Sequence, residues 1–248
     1  MPQRGRWFAV VAWVMLALAQ ASGGFAAGGQ EQAAKDYAEA AKALSAGDTA
    51  GAGKALTRII ESGQTPPALM VTALFSRGAI FHAKGNLDAA IADYNRAIDL
   101  QPGYGDVYVN RGNARVVKGD KTGALADFNK AVELAPFSAL AFNNRGYFYL
   151  TEGDPVKAGA DFDRALNLAP KSPEILCNRG MARIMRDDPQ GALVDFQAAI
   201  EISPKNAMAY RGRGLAYDAL GQKDKAAADL AKSKELDPRL ADPVAGKK

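Results

Sequence analysis

Five arginines and five aspartates are the charged residues whose spacing calls for a chemical explanation. Arg77, Arg111, Arg145, Arg179 and Arg213 recur every 34 residues, and Asp93, Asp127, Asp161, Asp195 and Asp229 recur at the same interval. A guanidinium fork matches a carboxylate through two parallel hydrogen bonds, so the two columns predict a ladder of partly buried ion pairs, within or between repeating units. The other chemistry open to the arginines is a basic stripe for an anionic ligand. An aspartate accompanies every arginine, and a desolvated guanidinium requires such a partner, which favours the structural ladder.

Little else in the chain suits catalysis. His82 is the only histidine and Cys177 the only cysteine, which removes His-rich zinc sites, cysteine clusters and Ser-His-Asp or Cys-His arrangements. His82 reads as an incidental residue, and Cys177, with no disulfide partner in its own chain, as a small apolar side chain on a helix. Gly51-Ala52-Gly53-Lys54 lacks the earlier glycine and the following Ser or Thr of a phosphate loop, and Gly212-Arg213-Gly214 lacks the third glycine of a dinucleotide fingerprint. Carboxylates that recur with the repeat belong to structure rather than to acid–base work. The expectation is a protein that is not an enzyme, with no metal, no cofactor and no small-molecule substrate.

The elements that must position the ladder follow from the same period. Each arginine precedes a glycine (Gly78, Gly112, Gly146, Gly180, Gly214), and five contiguous units result: 71–104, 105–138, 139–172, 173–206 and 207–240. Small residues recur at Ala90, Ala124, Ala158, Ala192 and Ala226, and large ones at Tyr94, Phe128, Phe162, Phe196 and Leu230. Pro102, Pro136, Pro170, Pro204 and Pro238 close the units by ending a helix. Gly85-Asn86, Gly119-Asp120 and Gly153-Asp154 read as a helix stop followed by a helix cap, so each unit is a pair of helices.

The pattern large-x-x-x-Gly…Ala-x-x-x-aromatic-x-x-Ala…Pro at this period resembles the tetratricopeptide repeat (TPR). The resemblance implies an all-α, TPR-type α-solenoid: antiparallel helix pairs stacked into a right-handed superhelix, with five clear repeats. Residues 31–66 read as a degenerate N-terminal unit, with Gly47-Asp48 as its turn and Ala40 in place of the diagnostic glycine. Ser233 and Lys234 make the last helix more polar, as suits a terminal unit, and 241–248 read as a flexible tail.

The first residues carry a leader pattern. Arg4 and Arg6 precede the apolar run from Trp7 to Ala19, too short for a bilayer-spanning helix of about 20 residues, so 1–21 is expected to be a cleaved signal, with a cut as late as residue 26 as the alternative. The protein is then exported and periplasmic, and its formal charge falls from +4 to +2 with the leader. That charge gives no case for nucleic acid, and membrane contact would come only through an uncleaved leader.

The resemblance also implies a concave groove lined by the first helix of each repeat. The residues it places there are Phe75, His82, Val109, Asn110, Asn113, Asn143, Asn144, Tyr147, Leu150, Cys177, Asn178, Met181, Ile184 and Arg211. Asn110, Asn144 and Asn178 form one column, and an amide there can serve a peptide backbone as donor and acceptor. The family's carboxylate clamp is not reproduced, because Phe75, Val109 and Asn143 stand where its lysines would. The expected function is a scaffold holding an extended segment of another protein. The alternative is self-association into a structural assembly.

Overall fold

The computed structural model describes residues 29–63 and 65–240. The leader 1–21, the alternative cut near 26 and the tail 241–248 lie outside the described residues. Within them the chain forms twelve helices and no strand. It divides into two compact units, Met1–Leu134 and Ala135–Lys248.

The first unit holds α1 (Gly29–Ser45), α2 (Thr49–Glu61), α3 (Pro67–Ala83), α4 (Leu87–Leu100), α5 (Gly105–Lys118) and α6 (Lys121–Leu134). Each helix packs on the next, and α3 also touches α5, so first helices neighbour first helices. The second unit repeats the plan with α7 (Ala139–Thr151), α8 (Pro155–Leu168), α9 (Pro173–Met185), α10 (Pro189–Ile202), α11 (Ala207–Ala219) and α12 (Lys223–Leu236), where α9 touches both α7 and α11. Helices α1 and α2 occupy the segment read as a degenerate repeat. Helix α3 starts at Pro67, before the boundary at 71, because Pro66 stands outside the helix as N-cap and Pro67 fits a first-turn position.

Side chains at fixed places cap the helices. Asp120, Asp154 and Asp188 accept backbone N–H bonds from Gly123, Lys157 and Gly191 at 2.9, 3.0 and 2.8 Å. Ser138, Ser172 and Asn206 do the same for the first helices of the second unit. The preceding turn needs a left-handed residue, supplied by Gly119 (φ 82°) and Gly153 (φ 80°), whereas the fourth repeat uses Asp187 at φ 58°.

The diagnostic glycines are required by close approach. A Cβ on Gly146 would stand 2.8 Å from the Phe162 ring, and one on Gly112 would stand 2.8 Å from Phe128. The aromatic column therefore lies over the glycine of its own repeat, and Phe162 and Phe128 are almost wholly buried. In the last helix Ser233 is not a water-facing adjustment: it is buried and its hydroxyl donates to the Ala207 carbonyl at 2.8 Å, joining α12 to α11.

Candidate functional site

The first helices bring each arginine of the column against the aspartate of its own repeat. Arg77 donates through Nε and Nη2 to the two oxygens of Asp93, both at 2.8 Å, and Arg145 does so to Asp161 at 2.8 and 2.7 Å. Arg111–Asp127, Arg179–Asp195 and Arg213–Asp229 repeat the fork. The five aspartates are buried, and hydrogen bonding to them holds the guanidiniums of Arg77, Arg145, Arg179 and Arg213 still further in their charged form.

The same arginines also reach the preceding helix pair. Nη1 of Arg77 donates to Thr57, that of Arg111 to Asn95 and that of Arg179 to Asp163, at 3.1, 2.7 and 2.7 Å, and Arg213 bonds Gln197 in the same way. The ladder thus acts both within and between repeats. In the degenerate pair its polarity is reversed: buried Asp36 lies on the first helix and Arg58, on the second, donates to it at 2.8 Å.

Two further arginines enter the ladder. Arg115 donates to Asp127 at 2.8 Å and Arg183 pairs with Asp195 at 2.9 Å, while each also donates to a backbone carbonyl, of Gly123 or Gly191. The other repeats carry an aromatic residue at that place. Arg77 stacks on Phe81, Arg145 on Tyr149 and Arg213 on Tyr217, with guanidinium-to-ring distances of 5.5, 6.0 and 6.0 Å. The signal was present in the sequence, since Phe81, Arg115, Tyr149, Arg183 and Tyr217 form one column that alternates aromatic with arginine.

The residues assigned to the groove divide by burial. Phe75, Val109, Asn143 and Cys177 are buried, which corrects their reading as open groove positions. Their place in the repeat points toward neighbouring helices: Phe75 packs on Tyr94 and Tyr104, and Asn143 bonds Glu174 and Asn178. Burial of Cys177 pushes its thiol up to about 12, leaving it protonated and unreactive at neutral pH. His82, Asn110, Asn113, Asn144, Leu150, Asn178, Met181, Ile184 and Arg211 are half-buried, and Tyr147 is 54% exposed.

The asparagine column does not behave uniformly. The Asn110 and Asn144 amides donate back to their own helices, to the carbonyls of Asp106 and Leu140 at 2.9 and 2.8 Å. In the second unit Asn178 donates to Asn143 at 3.0 Å, and Asn143 donates to Glu174 at 3.1 Å. The column then ends at Gly212, where a Cβ would stand 2.2 Å from the Phe196 ring.

Beside that glycine, between α9 and α11, is a cavity of ≈ 230 Å³. Cys177, Phe196 and Gly212 contribute to its lining, with Met181, Met208 and Leu215 as further apolar residues and Glu174, Asn178, Asn206 and Arg211 as polar ones. Arg211 Nε is buried without a hydrogen-bond partner, and its guanidinium makes no ion pair among the described residues. An unsatisfied buried donor costs about 1–3 kcal/mol, and more when charged. Glu174, Asn206 and Met208 were not among the groove residues named from the sequence; Glu174 and Met208 share one place of the repeat, and Asn206 is the cap of α11.

Among the described residues no group of His, Cys, Asp and Glu could hold a metal ion, and no helix is long and apolar enough to cross a membrane. The fold is that of a helix-pair repeat protein, an α-solenoid whose helix pairs are held by buried Arg–Asp forks. Family models described as tetratricopeptide repeat match residues 109–173, 146–211 and 209–240, and one described as TPR repeat matches 78–119. The chain belongs to the tetratricopeptide-repeat family.

Solved structures agree on the fold. A tetratricopeptide repeat protein from Parabacteroides merdae is 23% identical with a TM-score of 0.67, over 82% of this chain and 78% of that one. Pseudomonas aeruginosa pilF is 17% identical with a TM-score of 0.70, over 85% and 94%. YrrB, described as a TPR protein with an unusual peptide-binding site, is 24% identical with a TM-score of 0.58, over 75% and 94%. A search of curated proteins finds no significant match. The tetratricopeptide fold supports a protein–protein interaction scaffold.

Proposed function

We propose that this protein is a non-catalytic scaffold, exported to the periplasm, that holds an extended segment of a partner protein along the first-helix face of its second unit. The observation that carries this reading is the mixture of side chains on α7, α9 and α11. Leu140, Tyr147 and Met208 are about half exposed, at 50%, 54% and 48%, and stand beside the amides of Asn144 and Asn178 and the open cavity at Arg211. Exposed large apolar residues next to amides suit a peptide, whose backbone needs hydrogen bonds and whose side chains need apolar contact. The description of YrrB as having a peptide-binding site is consistent with such a use of the fold. Export rests on Arg4, Arg6 and the apolar run from Trp7 to Ala19.

Affinity capture tests the reading. Tagged wild type and the Tyr147→Ala/Asn178→Ala variant, checked for an unchanged helical melt, are compared in soluble and envelope fractions. A protein recovered with wild type from the envelope fraction and lost with the variant supports the proposal. Equal recovery by both would place binding elsewhere on the molecule, and recovery only from the cytosolic fraction would remove the export claim.

A further inference from the structure

Arg211 is the unexplained charge of the second unit. Each arginine of the ladder has its aspartate, and Arg115 and Arg183 share those of their neighbours, yet Arg211 has a buried Nε and no hydrogen bond or ion pair among the described residues. It lines a cavity of ≈ 230 Å³ rather than a helix contact, and the side chain that would stand next to it in the column has been removed at Gly212 because the Phe196 ring occupies that space. A guanidinium left without a carboxylate in a partly desolvated hollow is incomplete, and a carboxylate supplied from outside completes it.

We propose that this cavity receives the acidic side chain, Asp or Glu, of an extended peptide segment that continues on both sides of it. This rests on the peptide-scaffold reading and names the residue type that the face selects. Three observations fix the chemistry. The Asn206 amide, whose donor now faces only the Cys177 sulfur at 3.8 Å, stands in the same wall and can donate to the incoming carboxylate alongside Arg211. Glu174, also in the wall, accepts one amide bond from Asn143 and keeps acceptor capacity, which matches a backbone N–H of the bound segment. Met181, Met208 and Leu215 line the remainder, so an apolar residue adjacent to the acidic one is favoured.

The recognition is therefore charge-assisted, through a single arginine rather than a basic clamp, whose lysine places hold Phe75, Val109 and Asn143. It needs no basic cluster: a half-buried guanidinium whose Nε is shut off from water discriminates a carboxylate from its amide isostere more strongly than a fully exposed one does.

The test uses the full chain and an array of peptides capped at both ends, in which a central Asp, Glu, Asn or Gln is flanked by Leu, Phe or Ala, with a matched set ending in a free carboxylate. Wild type is expected to prefer Asp or Glu to Asn or Gln by about tenfold or more, with the preference lost in Arg211→Gln and only partly kept in Arg211→Lys, which retains charge without the fork. Equal binding of acidic and amide peptides by a wild type that does bind the array would overturn the acidic pocket and leave the scaffold reading standing. So would the same preference in folded Arg211→Gln, or selection of the free-carboxylate set alone. Absence of binding to any peptide by the folded protein would overturn both.

Discussion

Asp195 accepts hydrogen bonds from Arg179 and is also paired with Arg183, whereas Asp93 serves Arg77 alone, and that difference sets the cost of removing each carboxylate. Taking the negative charge from a buried pair strands the cation, at a cost on the order of 3 kcal/mol. Asp195→Asn takes the buried carboxylate from two guanidiniums, leaving Arg179 with exposed Asp163 and Arg183 with the Gly191 carbonyl, so it is expected to lower the thermal midpoint more than Asp93→Asn, with each kcal/mol worth roughly 2–4 °C in a chain of this size. Matched thermal melts of the two variants check this, and equal midpoints would mean that Arg183 adds nothing. Asp106 behaves in the opposite sense. Burial raises its carboxyl above the ordinary range, although it sits in the first turn of α5, where a helix terminus favours a negative charge. A folded-state value above the unfolded one means a favourable contribution that is complete below the unfolded carboxylate range and is lost as pH rises through the folded value. Asp106→Asn is therefore expected to melt higher than wild type near neutral pH, with the gap closing in acid. Melts across that range would contradict the account if the gap held constant or had the opposite sign.

At the scale of the element, the 34-residue period made the helix pairs legible, because glycine, alanine, aromatic and proline each have a physical reason to recur at one place. The turn residues were legible as well, with one instructive exception. The fourth repeat has Asp187 where the others have glycine, and Asp187 takes the left-handed backbone that glycine adopts more readily. Asp187→Gly is expected to stabilise the protein by about 0.5–1 kcal/mol, read as a higher midpoint in denaturant; a lower midpoint would show that the Asp187 side chain does more than tolerate the turn. The face of the first helix was less legible. Phe75, Val109, Asn143 and Cys177 share a place that resemblance assigns to an open groove, yet they are buried. Periodicity reports which side of a helix is inward, but not how far a neighbouring first helix covers its edge. Arg115 and Arg183 were overlooked for another reason: their column is not uniform, and a search for constant residues passes over one in which arginine replaces an aromatic in alternate repeats.

At the scale of the molecule, within each unit every helix touches its neighbours in sequence, with α3 on α5 and α9 on α7 and α11, so each unit is a chain of local contacts stitched by the ladder. Such an arrangement frees the outer face of the first helices from a structural task. In the second unit that face carries Leu140, Tyr147 and Met208 with Asn144, Asn178 and Arg211, while Val194 stands on a second helix and is 66% exposed. Tyr147 and Val194 are comparably accessible, so a difference in what they touch in the cell reflects the face and not the exposure. The most direct test of the scaffold account replaces each in turn with a photo-reactive aromatic residue and cross-links in living cells. The account predicts a discrete adduct with one different protein from position 147 and none from position 194. An adduct from position 194 alone, or one from position 147 only with a second copy of this chain, would contradict it.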